Sequence, residues 1–479
     1  MSLFRNANKF YIGGEWVAPK VPTFSKHVMV SPVTEERLGE IAMGSGQDVD
    51  AAVEAARAAF ESFSQTRISD RIDLLNRILD IYKRRYDEFA EAIETEMGAP
   101  LKFAREGQAL RGVAHFKAAC DALLLMPTER RIADTLIAYE PIGVCGLITP
   151  WNWPMNQLAV KVAPALAAGC TMIVKPSEFS PLSALLLAEV IDEAKAPPGV
   201  FNLINGYGPE VGSALASHSG IAMISFTGST LAGIRVAESA AKTVKRVSQE
   251  LGGKSANIVL LGADLEMAVS KCVAACFTNS GQSCSIPTRL LVGRDQAERA
   301  YEIARTAAEG FYSGPQSFNA QCLGPLVNAQ QFERVQDLIR SGLEAGARLV
   351  TGGLGRPEGV EKGYYVRPTV FGEVTQNMRI AKEEIFGPVL SILAYDSEDQ
   401  AIEIANATDY GLAAYVQSAD LDRARRVARR LRAGGVHINY PPANFNAPFG
   451  GYKHSGNGRE WGEYGIREFM EVKSVVGYY

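Results

Sequence analysis

Short apolar runs closed by Pro, Gly or Asn, alternating with helical stretches, predict an α/β fold for this chain. After Ile142 the runs are GVCGLITP, TMIVKP, VFNLING and AMISFTG, separated by helical stretches such as Leu158–Ala168 and Leu182–Ala194. Strand and helix alternating at this interval indicate βαβ units on a parallel sheet. A second series opens with Ser255–Leu261 (SANIVLL). It continues through the helix Leu265–Ala275, the strand Arg289–Val292 and the helices Gln296–Gly310, Asn328–Glu344 and Asp399–Asn406. Strands near Tyr365–Phe371 and Val389–Tyr395 belong to the same series, so two α/β domains are expected with their boundary near Gly252–Gly253.

Ahead of both series, Asp48–Phe63 and Ile68–Met97 carry apolar residues at helical spacing and charged residues on the opposite face, as packed surface helices do. Two β-prone segments, Ala133–Tyr139 and Glu471–Tyr478, fit neither series. Exposed edge strands invite association unless they are paired, so together these segments predict an oligomerisation arm.

The chain has 479 residues, which at roughly 150 residues per domain is a prior of about three domains. Lys plus Arg number 49 and Asp plus Glu 53, a formal charge of −4 that argues against nucleic acid or an anionic membrane as partner. The 47% hydrophobic and 21% charged composition excludes wholesale disorder. Cysteines number 7, widely spread and without a C-x-x-C pair, which fits reduced thiols better than a disulfide framework. The 5 histidines are scattered, so no metal site is expected. The N-terminal stretch is broken by Arg5, Asn6, Asn8 and Lys9 and lacks the core of a signal peptide. Ile142–Val174, the most apolar stretch, is interrupted by Pro150, Pro154, Lys161 and Pro164 and does not read as a membrane span. A cytoplasmic location is the resulting expectation.

Two strand-to-helix turns carry glycines of the kind that let a phosphate approach a helix N-terminus. One is Gly206-Tyr207-Gly208-Pro209-Glu210-Val211-Gly212, which reads equally as a tight turn; the other is Gly228-Ser229-Thr230 with Gly233 beyond. Neither has the Gly-Lys-Ser/Thr of a phosphate-binding P-loop. Cys284 lies in a small polar turn, Asn279-Ser280-Gly281-Gln282-Ser283-Cys284-Ser285, where a thiolate could meet backbone N–H groups. A thiol nucleophile needs an oxyanion donor and, to clear an acyl-enzyme, a general base. Glu250, followed by Gly252 and Gly253, is a candidate base or a solvated surface charge. Asn152, between tryptophans and prolines in Pro150-Trp151-Asn152-Trp153-Pro154, is a candidate oxyanion donor or a structural cap.

Taken together the motifs PWNWP (Pro150–Pro154), KPSE (Lys175–Glu178), FTGST (Phe226–Thr230), ELGGKS (Glu250–Ser255), FTNSGQSC (Phe277–Cys284), EEIFGP (Glu383–Pro388) and PFGGYKHSGNGRE (Pro448–Glu460) strongly resemble the NAD(P)-dependent aldehyde dehydrogenase superfamily, in collinear order over nearly the whole chain. The resemblance implies a Rossmann-like cofactor domain at 1–120 and 141–251, a catalytic domain at 252–455 and an oligomerisation arm at 121–140 and 456–479. It implies Cys284 as nucleophile, Glu250 as general base, and Asn152 with the Cys284 N–H as oxyanion hole. For the cofactor it implies Lys175 and Glu178 at the adenosine ribose, and Gly228 and Ser229, in preference to Gly206 and Gly208, at the pyrophosphate. Trp151 would border the pyrophosphate, Glu384 would hold the nicotinamide ribose, Phe386 would pack near the nicotinamide, and Leu251 is a further cofactor-binding residue. A homodimer or homotetramer is implied as well.

The expected reaction is oxidation of an aldehyde to the acid through a thiohemiacetal and a thioester on Cys284. A carboxylate at Glu178 would repel a 2′-phosphate, so NAD is expected over NADP. The positions Trp153, Gln157, Val160, Ser283, Ser285 and the Pro441–Ala447 loop hold no cationic side chain, which predicts a neutral aldehyde of small to medium size. The competing readings are a semialdehyde-specific member and a Cys–Glu amide or nitrile hydrolase that needs no cofactor.

Overall fold

A computed structural model describes residues 3–21, 25–315 and 321–479. The strands Val144–Ile148, Thr171–Lys175, Phe201–Leu203, Met223–Thr227 and Arg246–Glu250 form the parallel centre of one sheet. Phe10–Ile12 flanks it antiparallel on one side and Gly456–Asn457 on the other. Val144–Ile148 and Thr171–Lys175 are buried along their whole length, which explains why they read as continuous apolar runs rather than alternating ones.

The order of the parallel strands reverses between Val144–Ile148 and Met223–Thr227. In an open α/β sheet the crevice outside the carboxyl ends of strands at such a switch point is where ligands bind. The segments leaving these ends are Pro150–Pro154 and Gly228–Thr230, two of the motifs singled out above. The helix Pro154–Ala168 starts with Pro at its first position and stops at Gly169, whose φ of 90° caps the C-terminus. Of its residues only Asn156 is not fully buried, so the helix runs through the core with Lys161 in its middle.

The chain crosses from the first sheet to the second between Glu250 and Ser255. The second sheet has 7 strands, parallel except for the edge pair Arg348–Thr351 and Thr369–Gly372. Separate apolar clusters fill its two faces, one around Phe371, Val389 and Val416 and the other around Phe277, Leu290 and Ile392. At its centre Arg289, 2% exposed, donates from Nε to Lys254 O and from its two Nη atoms to Ile404 O and Ala405 O, all at 2.9 Å. The last two carbonyls end the helix Glu398–Asn406, so one guanidinium caps a helix and pins the entry to the sheet.

Residues Met470–Val475 pair antiparallel with Thr135–Pro141, which pairs in turn with Glu129–Ile132. The two segments that fit neither α/β series thus form a small sheet together, with Val472 and Val476 exposed. The helix Leu110–Leu125 runs unbroken through residue 120, Gly456–Asn457 pairs with Arg246–Glu250, and the helix Gly462–Glu468 packs on Leu110–Leu125 and Pro154–Ala168. The expected helix Ile68–Met97 is two helices, Ile68–Arg84 and Tyr86–Met97, broken at Arg85, whose guanidinium pairs with Glu88 and Glu189. Among the described residues no helix is long and apolar enough to cross a membrane, and no cluster of His, Cys, Asp and Glu could hold a metal ion.

Arg289→Met keeps the apolar stem and leaves three buried carbonyls without a donor, at a cost of about 3–6 kcal/mol. Thermal unfolding followed by circular dichroism should show a midpoint lower by several degrees; an unchanged midpoint would show that the carbonyls find other donors.

Candidate active site

Asn152 is held in the switch-point crevice by hydrogen bonds on three sides. Its main-chain oxygen accepts from Asn279 Nδ2 at 2.7 Å, and its Nδ2 donates to Gln282 O at 3.1 Å. Gln108 Nε2 donates to Asn279 Oδ1 at 2.9 Å and reaches the Asn152 carbonyl at 3.5 Å. Gln108 comes from a π-helical turn at Ala104–Ala109, a distortion that helices often carry near functional residues. An amide nitrogen has two N–H groups, so the bond to Gln282 orients Asn152 and leaves one donor.

The turn before Cys284 runs through three left-handed residues in succession: Asn279 (φ 54°), Ser280 (φ 56°) and Gly281 (φ 75°). Non-glycine residues occupy this region at a cost, and such strain persists only where neighbours over-determine it. Here they do. Ser280 Oγ donates to Gly324 O, Gln282 Nε2 donates to Pro325 O, and Gln282 Oε1 accepts from Val327 N. A Cβ on Gly281 would stand 2.0 Å from Gly387 O, so no other residue fits there. Trp153 Nε1 donates to Ser283 Oγ at 3.1 Å, tying the asparagine motif to the cysteine motif. Cys284 emerges half-buried, its thiol pushed up by burial and by the nearby Glu384 and Glu250 carboxylates, so it rests as the thiol.

Glu250 ends its strand facing the same cleft. It is 2% exposed, and neither carboxylate oxygen has a hydrogen-bond partner. Burial, followed by the charge of Glu460, raises it well above the usual carboxylate range, while Lys161 and Arg459 oppose the shift. Glu460 is itself compensated, because Lys161 Nζ lies 2.6 Å from its Oε1 and donates to Ser225 Oγ at 3.0 Å. Cys284, Glu250, Thr227, Trp153 and Glu460 line one cleft enclosing about 550 Å³. Surface solvation, the alternative for Glu250 in the sequence, does not describe its position.

On the other side of this cleft lie the residues expected at the cofactor. Lys175, at the end of its strand, is buried and donates to Pro176 O and Gly206 O, both at 2.8 Å. The first glycine turn thereby positions Lys175. Glu178 is half-buried nearby and acts electrostatically on Lys175, His27 and Tyr207. Gly228 precedes the helix Thr230–Ala241, and Ser229 caps it by accepting from Ala232 N, so the free N–H groups of that terminus face the crevice mouth. Leu251 packs on Gly233 and is clasped through its N–H by Ser455 O. Phe386, at φ 60°, sets its ring edge-on to Trp151 with centroids 5.5 Å apart. Glu384 Oε1 accepts from Gly253 N at 2.9 Å and is pushed up to about 7 by burial.

The family profile described as "Aldehyde dehydrogenase family" matches residues 16–475. The chain belongs to this family. A 3-succinoylsemialdehyde-pyridine dehydrogenase from Pseudomonas sp is 51% identical over 99% of both chains. Among solved structures, aldehyde dehydrogenase C from Pseudomonas syringae, a mutant complexed with NAD+ and octanal, superposes with a TM-score of 0.97 at 52% identity, covering 99% of this chain and 97% of that one. The aldehyde dehydrogenase of Bartonella henselae gives 0.96 at 46% identity, over 98% and 99%.

Within this aldehyde dehydrogenase the structure adds residues that sequence reasoning passed over. Lys161 carried a signal, a single charge inside an otherwise apolar helix. Glu460 lay inside a quoted motif without a role. Gln108 and Arg111 carried none, since both lie on a surface-patterned helical segment far from any motif.

Glu460→Gln removes a negative charge that raises Glu250 and leaves Lys161 unpaired, two effects that both favour ionised Glu250. The alkaline-rising limb of kcat should therefore shift to lower pH. A pH–rate profile checks this, and an unmoved limb would dissociate Glu460 from Glu250.

Proposed function

We propose that this enzyme oxidises an aldehyde to its carboxylic acid with NAD+, through an acyl group carried on Cys284 and released by water that Glu250 activates. The observation that carries the reading is that Cys284 and Glu250 line one cleft while Asn152 donates to Gln282 O, two residues before the cysteine, the three coming from separate motifs.

The residues around the crevice fit a dinucleotide: a helix N-terminus at Gly228–Ser229, a lysine and a carboxylate at Lys175 and Glu178, and an aromatic pair at Trp151 and Phe386. Solved relatives at 52% and 38% identity are NAD+ complexes. NAD+, when bound, supplies the hydride acceptor. Glu178 would repel a 2′-phosphate, which favours NAD over NADP.

Asn152 and the Cys284 N–H offer donors to the oxygen that becomes negative when the thiol sulfur adds to the carbonyl carbon. One such preorganised donor contributes about 3 kcal/mol to the transition state. The resting thiol loses its proton as it adds, and the carboxylate form of Glu250 is suited to take it. Once it has released that proton to solvent, Glu250 draws another from water, which attacks the thioester carbonyl and frees Cys284. The raised Glu250 is a stronger base than an ordinary surface carboxylate. The cofactor-free hydrolase reading has nothing to occupy the Lys175 to Phe386 side of the crevice.

We extend the proposal to assembly: the three-stranded sheet of Glu129–Ile132, Thr135–Pro141 and Met470–Val475 has free edges suited to pairing with a second copy, giving a dimer or tetramer. A cytoplasmic location accords with the free cysteines.

Cys284→Ala is expected to abolish NADH production while NAD+ still binds, as measured by calorimetry. Glu250→Gln should give a burst of NADH at the first turnover and then stall; a normal steady state in that variant would refute the base assignment. With wild type, the KM for NADP should exceed that for NAD by about tenfold or more. Glu178→Ser should narrow that gap, and equal KM values in wild type would remove Glu178 from cofactor choice.

A further inference from the structure

The cleft contains one cation that the reaction does not use. Arg111, on the helix Leu110–Leu125, lines the same cleft as Cys284 and Glu250. Its guanidinium carbon lies 5.2 Å from the centroid of the Trp153 ring and 5.3 Å from that of Phe445. Among the described residues it makes no ion pair and no hydrogen bond. Aromatic rings stabilise a guanidinium through its face, but they leave the in-plane N–H groups without acceptors. A half-buried Arg held between aromatic rings, with no ion pair or hydrogen bond, lacks the anion that its fork of donors matches.

The charges around it sharpen the point. Of the two carboxylates in the cleft, Glu250 has no hydrogen-bond partner and is shifted toward its neutral form by burial, and Glu460 is paired with Lys161 at 2.6 Å. Neither is paired with Arg111, which among the described residues is the cation of the cleft lining without an anion. On the wall formed by the helix Pro154–Ala168, Gln157 is 5% exposed and its Oε1 has no partner. A buried amide with an idle oxygen is a second polar group left unsatisfied by the protein and able to turn its NH2 toward a ligand. The neutral substrate expected from sequence rested on positions in and beside the motifs, and Arg111 reaches the cleft from a helix that lies outside all of them in the sequence.

We propose that Arg111 is a specificity-determining residue that selects aldehydes carrying a carboxylate at the end remote from the reacting carbonyl. The inference rests on the aldehyde-oxidation reading above. The carboxylate takes two parallel N–H···O bonds from the guanidinium edge, Trp153 and Phe445 hold the guanidinium plane, and Gln157 adds a donor from the side. A site whose polar groups are paired only by the right substrate discriminates strongly against one that leaves them empty.

The test compares adipic semialdehyde with hexanal, which have the same chain length and end in a carboxylate and a methyl group respectively. The kcat/KM values are measured in wild type, Arg111→Leu and Arg111→Lys, with NAD+ saturating. Wild type should prefer adipic semialdehyde by about tenfold or more. Arg111→Leu should lose about tenfold on adipic semialdehyde, mostly in KM, and stay within about threefold on hexanal. Arg111→Lys, which keeps the charge and loses the fork, should recover part of the loss. The hexanal rate reports whether each variant is folded and active. A wild-type preference for hexanal, or an equal loss on both substrates in Arg111→Leu with no recovery in Arg111→Lys, overturns the assignment of Arg111 while leaving aldehyde oxidation standing. Failure of wild type to oxidise either aldehyde overturns both.

Discussion

The backbone of Gly253 and the carbonyl of Cys284 are packed so closely that a Cβ on that glycine would stand 2.2 Å from the oxygen. This contact is the constraint on which the rest of the site depends. It joins the segment leaving the first sheet to the loop carrying the thiol, and so sets Glu250, three residues upstream, across the cleft from Cys284. Gly252, Gly253 and Gly281 are glycines for want of room, with Glu384, the Cys284 carbonyl and the Gly387 carbonyl against them. The same segment is clasped from behind by Ser455, whose Oγ donates to Gly252 O and accepts from Gly411 N. Two domains meet here through main chain, which leaves side chains free for chemistry.

The electrostatics of the cleft follow from how little compensation it contains. Glu250 has no hydrogen-bond donor, and burial outweighs the opposing charges of Lys161 and Arg459 in setting its ionisation. Glu460 has Lys161, which also donates to Ser225 Oγ in the core. Cys284 is raised by the same burial and by the carboxylates around it. A raised carboxylate is the stronger base, so the ionised form of Glu250 is suited to take the thiol proton as the substrate arrives. Charge would then appear only when the oxyanion donors are there to receive it.

Much of this was legible in the chain. The strand and helix series, the switch to a second α/β unit near Gly252–Gly253 and the separate β-prone segments rest on local patterns, and local patterns survive in sequence. Asn152 and Cys284 were visible because a rigid aromatic-walled asparagine and a cysteine in a polar turn are unusual by composition alone. Glu250 stood out only as a carboxylate before two glycines, open to reading as a surface charge, since an isolated glutamate carries no mark of burial. The break at Arg85 and the unbroken helix through residue 120 were invisible, because ion pairs such as Arg85 with Glu189 join residues far apart in the chain.

The amino-acid sequence by itself determined the fold class, the order of the elements and the residue types available for chemistry, because hydrophobic periodicity and turn chemistry act over a few residues. Tertiary structure alone decided which of those residues meet and what charge state they hold. The left-handed turn at Asn279–Gly281 is stable only against Gly324, Pro325 and Gly387. The unpaired state of Glu250 and the aromatic sandwich around Arg111 depend on neighbours from distant segments. Burial and pairing are properties of what packs against a group, and a linear sequence does not record its neighbours in space.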